Sequence, residues 1–260
     1  GQYNLCDNAY AFFGKQPEEQ PHFHTAFSTH ILIHPRQNFY VVPNNIPDKV
    51  AASANCALSQ VYFGIDSVAA KFGDTMVIQG AGGLGLMGVA LAKERGIKTI
   101  VIDSVKARLL LAQKFGADEV VDMSEFSSAE MRIDRVKELT NGLGADVGME
   151  VAGVPEAFNE GVTGLVRRGG SYLVMGNLSP GFKIDFDPGL LTRRAVRVVP
   201  VDRYDARYLK LALNFLSKNI EKYPFEDLLD ADFTLDEVKD ALVKSVKREV
   251  SRASLIVSKH

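Results

Sequence analysis

Residues 75–103 decide the fold. They run Thr75-Met-Val-Ile-Gln-Gly80-Ala-Gly82-Gly83-Leu84-Gly85-Leu-Met, continue through an amphipathic stretch, and close on Thr99-Ile-Val-Ile-Asp103. An apolar run climbs into Gly80-x-Gly82-x-x-Gly85, a helical segment follows, and a second apolar run ends in an acid. Strand, glycine turn, helix, strand and acid in that order form the dinucleotide-binding fingerprint. Each part has a physical task. Gly80 permits the tight turn, Gly82 lets the backbone approach a pyrophosphate, and Gly85 lets the helix pack closely on the strand. The helix opening near Leu84, just past Gly83, points unpaired N–H groups and a positive dipole end at the phosphates. Asp103, 18 residues beyond Gly85, is placed to accept hydrogen bonds from a ribose diol and to repel a 2′-phosphate, which favours NAD over NADP. Arg108, five residues on, is placed to pack against the adenine or reach a phosphate, or else is a solvated arginine of the next helix.

The pattern spreads outward from this unit. Strands are expected at 75–80, 99–103, 119–122, 146–151 and 171–176, with helices at 84–95, 105–115, 128–140 and 155–167 between them. Turns are expected where glycine and proline fall, at Gly116, Gly142, Gly144, Gly153 with Pro155, and Gly169-Gly170. Such alternation specifies an α/β fold, a doubly wound parallel sheet covered on both faces. Ligands bind beyond the carboxyl ends of such strands. Those ends are Gly80, Asp103, Val151 to Gly153, and Met175-Gly176-Asn177. Before this unit, 27–34 and 39–42 read as strands ended by Pro35 and Pro43, and 47–72 reads as helical with a break around Cys56 and Ala57. After it come a polar stretch at 178–188, an apolar run at 195–201, helices at 205–218 and 235–247, and a final strand at 253–257.

Composition narrows the class. The chain has 260 residues, 46 % apolar and 24 % charged, which supplies ample core and an ordinary aqueous surface. A formal charge of −2 gives no electrostatic reason to expect nucleic acid or an anionic membrane as partner. No apolar run approaches membrane-spanning length and no signal-peptide pattern opens the chain. Cys6 and Cys56 alone do not suggest a disulfide framework, so a reducing cytoplasm is expected.

The whole chain resembles the zinc-dependent medium-chain dehydrogenase/reductases, the alcohol dehydrogenase-like family. The glycine fingerprint sits in mid-chain, after a β-rich segment and Asn55-Cys56-Ala57-Leu58-Ser59. The resemblance implies a catalytic zinc ligand at Cys56. Tyr3-Asn4-Leu5-Cys6 resembles the end of the family's structural-zinc lobe, which makes Cys6 a structural zinc ligand. Ser251-Arg252-Ala253-Ser254-Leu255-Ile256 resembles the last strand, whose arginine, here Arg252, reaches the pyrophosphate. Leu84 takes the position behind the nicotinamide. Met175, Gly176 and Asn177 offer backbone groups to the carboxamide, with Val199 and Val201 contributing from the next run. Gln60 departs from the family, which often has a threonine there.

The resemblance implies a Rossmann sheet plus the remainder of a GroES-like, β-rich catalytic domain, the chain lacking that domain's N-terminal part. The expected division is 1–57 for the end of the catalytic domain, 58–200 for the NAD-binding domain, and 201–260 for a return segment. The expected function of the parent protein is zinc-dependent hydride transfer between an alcohol and NAD. The expected partners are a small alcohol or carbonyl substrate and, in a homodimer or homotetramer, copies of itself. A zinc-free quinone or enoyl reductase of the same superfamily, and a non-catalytic NAD-binding sensor, stand as alternatives. His22 with His24, and His30 with His34, tempt a metal reading, but no cysteine or glutamate pattern accompanies them.

Overall fold

The computed structural model describes residues 3–8, 15–16, 18–20, 22, 26–35, 37–176, 181–247 and 249–257. The chain divides into two compact units, Gly1–Asn55 with Asp205–His260, and Cys56–Tyr204.

In the second unit the elements alternate as the glycine and proline punctuation dictates. Helix α1 (Asp48–Ser53) precedes it in sequence, and a π-helical turn (Ala54–Leu58) leads into α2 (Ser59–Ser67). Then come β1 (Thr75–Gln79), α3 (Gly83–Glu94), β2 (Lys98–Asp103), α4 (Lys106–Lys114), β3 (Glu119–Asp122), α5 (Ala129–Leu139), β4 (Ala145–Glu150) and α6 (Pro155–Glu160). A second π-helical turn (Gly161–Leu165), β5 (Val166–Val174), α7 (Pro188–Arg194) and β6 (Arg197–Pro200) complete it. All six strands are parallel and lie in the order β3-β2-β1-β4-β5-β6. This is the doubly wound Rossmann order, in which the chain reverses direction across the sheet between β1 and β4. The central strands β1, β2 and β4 are buried almost throughout, as a sheet covered on both faces requires. Val77, Ile100, Ile102, Val121 and Ala145 of the sheet pack with Val136 of α5 and Leu165 in one core cluster.

The first unit carries α8 (Arg207–Asn219), β7 (Ala231–Thr234), α9 (Val238–Val246) and β8 (Ala253–Ile256). β7 and β8 form a two-stranded parallel sheet.

Several expectations are corrected. Residues 27–34 and 39–42 form no strand: Phe27 has φ +61°, and Ile31, Leu32, Ile33, Phe39 and Val41 stand exposed. Their β propensity has no ladder to join among the described residues, and propensity without a partner strand does not make a sheet. The expected helix at 155–167 ends at Leu165, and β5 begins at Val166 rather than 171. Gly169-Gly170 is therefore an irregularity within β5, not a turn before it. The β4–β5 register shifts there, and Gly169 at φ +73° supplies the backbone that such a bulge needs. α7 falls between the polar stretch at 178–188 and the apolar run at 195–201, where the sequence pattern marks no element. Asp187 caps it, accepting a hydrogen bond from the Gly189 N–H at 2.8 Å, and Pro188 occupies its first turn.

Candidate functional site

The site is built at the carboxyl ends of β1 and its neighbours. β1 feeds into Gly80, whose φ of +108° excludes other residues without strain. Space enforces the same choice, because a β-carbon there would lie 3.0 Å from the Cα and N of Ala152. At Gly85 a β-carbon would sit 2.0 Å from the carbonyl oxygen of Gly80. The first and third glycines thus serve the turn and the close approach of α3 to β1.

Gly82 is different. Its φ of −77° and ψ of −169° are open to any residue, and a β-carbon would meet no protein atom within 4 Å. Nothing in the protein demands glycine there. The residue keeps a space clear in front of the N-terminus of α3, a 12-residue helix with no side-chain cap. The first N–H groups of any helix lack intrahelical partners, and here they and the dipole face that space with Gly83 and Leu84, both half-buried. An uncapped helix N-terminus facing clear space is the arrangement that suits an anion such as a pyrophosphate.

Asp103 ends β2 and is 7 % exposed. Its Oδ2 accepts from the Ala81 N–H at 2.7 Å and its Oδ1 from the Val105 N–H at 2.8 Å. The carboxylate therefore stands at the lip of the glycine turn, fixed by two backbone donors, each oxygen keeping a second lone pair for a ribose hydroxyl. Arg108, on the first turns of α4, is half-buried.

Across the switch point, the Val151 N–H donates to the Gln79 carbonyl at 3.0 Å, and Gly153 turns at φ +70°. The N–H groups of Met175 and Gly176 both donate to the Glu150 carbonyl at 3.1 Å. Val199 pairs with Leu173 in the sheet. The Val201 N–H donates to the Val174 carbonyl at 3.0 Å, and the Val201 carbonyl receives Gln60 Nε2 at 3.1 Å. The N–H groups of Met175, Gly176 and Val201 are thus spent within the protein, which narrows what these positions offer a carboxamide to their carbonyl oxygens. Gln60, the departure from the family, ties α2 to the segment after β6. Asn177 lies outside the described residues.

Cys56 presents an exposed free thiol on the π-helical turn. Tyr204, which sequence reasoning missed, hydrogen-bonds Ser59 one turn further on; burial, with the nearby Cys56, pushes its phenol up to about 12. No periodic or motif signal marks Tyr204. Cys6, also an exposed free thiol, and Arg252, half-buried with its N–H 3.3 Å from Asp230 Oδ1, belong to the other unit. Among the described residues, no three of His, Cys, Asp and Glu gather as a metal site.

Residues 83–218 match the family model described as zinc-binding dehydrogenase. The chain belongs to that family. Among curated relatives, this family member is 31 % identical over 206 residues to 5-exo-hydroxycamphor dehydrogenase of Pseudomonas putida, covering 78 % of this chain and 56 % of that protein. It is 29 % identical over 251 residues to sorbitol dehydrogenase of Bacillus subtilis, covering 95 % of this chain and 65 % of that protein. A crystal structure of an alcohol dehydrogenase from Thermotoga maritima superposes with a TM-score of 0.85 at 31 % identity, covering 93 % of this chain and 66 % of that one. The chain thus spans between about half and two thirds of the length of these relatives.

The family's two cofactors fare differently against the residues present. The cradle at Gly82, the uncapped α3 and the acid at the lip fit a dinucleotide. Zinc finds one thiol at each expected position, short of the roughly three protein ligands that a catalytic zinc takes.

Proposed function

We propose that this chain is the cofactor-binding portion, with adjoining segments, of a zinc-dependent medium-chain alcohol dehydrogenase. The whole protein would move a hydride between an alcohol and NAD, reversibly giving an aldehyde or ketone. The space that Gly82 keeps clear before α3 carries the reading, since a glycine there, beyond serving as a helix cap, leaves room for a ligand where no protein atom needs it.

The roles follow from position. The N–H groups opening α3 hold the pyrophosphate, and Asp103 takes the ribose hydroxyls in place of a 2′-phosphate. With the adenosine half set on β1 and β2, the nicotinamide half falls to the loops after β4 and β5, including Val151, Gly153, Met175 and Gly176. Leu84 backs the ring and Arg108 flanks the adenosine end; the pyrophosphate role of Arg252 rests on the family resemblance alone. Bound NAD supplies the hydride acceptor, while the protein supplies position and electrostatics. Cys56 contributes one ligand to the catalytic zinc and Cys6 one to the structural zinc; no step is drawn through either metal.

The substrate class is a small alcohol or its carbonyl product, as for the relatives named above. Among the described residues β6 pairs on one side only, and an edge of that kind suits pairing with a second copy in a homodimer or homotetramer. None of the helices among the described residues is long and apolar enough to cross a membrane; with two free cysteines, a cytoplasmic setting fits best.

Calorimetric titration with NADH and NADPH tests the binding reading. Tighter binding of NADH supports it, and absence of NADH binding overturns it. NAD reduction by simple alcohols then separates an enzyme from a sensor that binds without turnover.

A further inference from the structure

The side chain of Glu150 has no role in the site as built so far. It ends β4, is 0 % exposed, and spans two loops. Its Oε1 accepts from the Gly153 N–H at 2.7 Å, and its Oε2, at 3.1 Å, shares the Gly176 N–H with Glu150's own carbonyl oxygen. The first N–H belongs to the loop after β4 and the second to the end of β5. The glycines are shaped to the clamp. Gly153 turns at φ +70°, and a β-carbon on it would lie 3.2 Å from the Gly176 carbonyl oxygen. A β-carbon on Gly176 would lie 2.5 Å from Glu150 Oε1 and 2.6 Å from the Gly153 nitrogen.

A carboxylate suits this position because it has two acceptor oxygens and no donor on the charged form. Each oxygen takes one N–H, and such charge-assisted bonds are the strong kind. Glutamine would turn an NH₂ toward one of the two glycine N–H groups. The side chain itself is fully buried, so a wrongly turned amide cannot swing out to water.

We propose that Glu150 is a positioning residue for the nicotinamide half of the cofactor, setting the spacing of the two loops between which that half lies. This rests on the dinucleotide reading above. In a sheet of this order each half takes one mononucleotide. Asp103 and the glycine turn hold the adenosine side, and the Glu150 clamp stands on the other. Its effect is therefore specific to one end of the ligand.

The experiment titrates the full chain and its Glu150→Gln variant with NADH and, separately, with ADP, which reaches only the adenosine side. The variant is expected to lose about tenfold or more in NADH affinity while ADP affinity stays within about twofold. Equal losses for both ligands, or no loss for NADH, overturn the proposal. Should Glu150→Gln fail to fold, Glu150→Asp keeps both acceptors but shortens their reach, and the same pair of titrations decides. Wild-type chain that binds neither NADH nor ADP would instead sink the dinucleotide reading itself, so the two failures are told apart.

Discussion

The carboxylate of Asp103 is bonded to the backbone N–H of Ala81, 2.7 Å away, inside the glycine turn. The acid proposed to read the ribose and the turn proposed to hold the pyrophosphate are therefore one mechanical piece. A second bond, from the Val105 N–H at 2.8 Å, occupies the other oxygen.

Asp103→Asn follows directly. The amide keeps one acceptor and turns an NH₂ toward Ala81 or Val105, leaving one buried N–H unpaired. The cost is about 1–3 kcal/mol of stability, seen as a lower urea midpoint. NADH affinity falls about tenfold or more, and the preference over NADPH narrows because the repelling charge has gone. Unchanged discrimination between the two cofactors would count against Asp103 as the reader of the ribose.

The glycines predict opposite outcomes. Gly85→Ala drives a methyl to within 2.0 Å of the Gly80 carbonyl oxygen, so α3 must move off β1 at a cost of about 1–3 kcal/mol or more. Gly82→Ala meets no protein atom and costs less than about 1 kcal/mol, the loss of a favourable cap residue. Yet Gly82→Ala is expected to abolish most NADH binding, because the methyl fills the cradle. Urea melts and NADH titration on the two variants check this crossing pattern; NADH binding by Gly82→Ala at wild-type strength would refute the cradle.

Much of this was legible in the residues. Alternating apolar runs and helices between Thr75 and Val201 placed the sheet, since a parallel sheet buried on both faces leaves few other readings of such a pattern. Spacing picks out Gly80, Gly85 and Asp103, because the turn, the close helix approach and the bond to Ala81 are all local. What escaped depends on distant partners. Residues 27–42 carry strand propensity but no ladder among the described residues, and propensity alone could not reveal that. Asp187-Pro188 is a sound helix start that was hidden by the polar residues before it. Glu150 and Tyr204 stand out only once their neighbours are known, because a glutamate after Met149 looks like any strand end until two glycine N–H groups are found on it.

A buried ion pair joins α5 to α6. Arg132 donates through Nε to Glu160 Oε1 at 2.7 Å and through a second nitrogen to Oε2 at 2.9 Å, and it also reaches the carbonyls of Phe126 and Ser127. Both side chains are under a tenth exposed, and the Glu160 carboxylate raises the Arg132 guanidinium further above its ordinary value. Glu160→Ala strands that charge and is expected to cost about 3–5 kcal/mol. The double variant Arg132→Met, Glu160→Leu is expected to recover most of the loss, because the pair's desolvation cost disappears with it. A urea series on the single and double variants decides; a double variant no more stable than Glu160→Ala would show that the pair itself, not relief of a stranded charge, carries the stability.

The pH dependence has a named contributor at the other end of the sheet. Asp118, before β3, is opposed by burial, but the Thr99 N–H, at 2.8 Å, and the Lys93 ammonium, at 3.1 Å, outweigh it and hold the carboxyl below its usual 3.8. A folded-state value lower than the unfolded one means that the folded chain binds its proton less readily. The stabilisation is therefore fully present above 3.8, the unfolded value, and drains away as pH falls through the lower folded value. Asp118→Asn should lower the urea midpoint at neutral pH, and the gap to wild type should close as pH drops below about 4. Part of the gap should also shrink in high salt, because the Lys93 partner is 46 % exposed and open to screening. A gap that stays constant down to acid pH would assign the stabilisation to packing around Asp118 rather than to its charge.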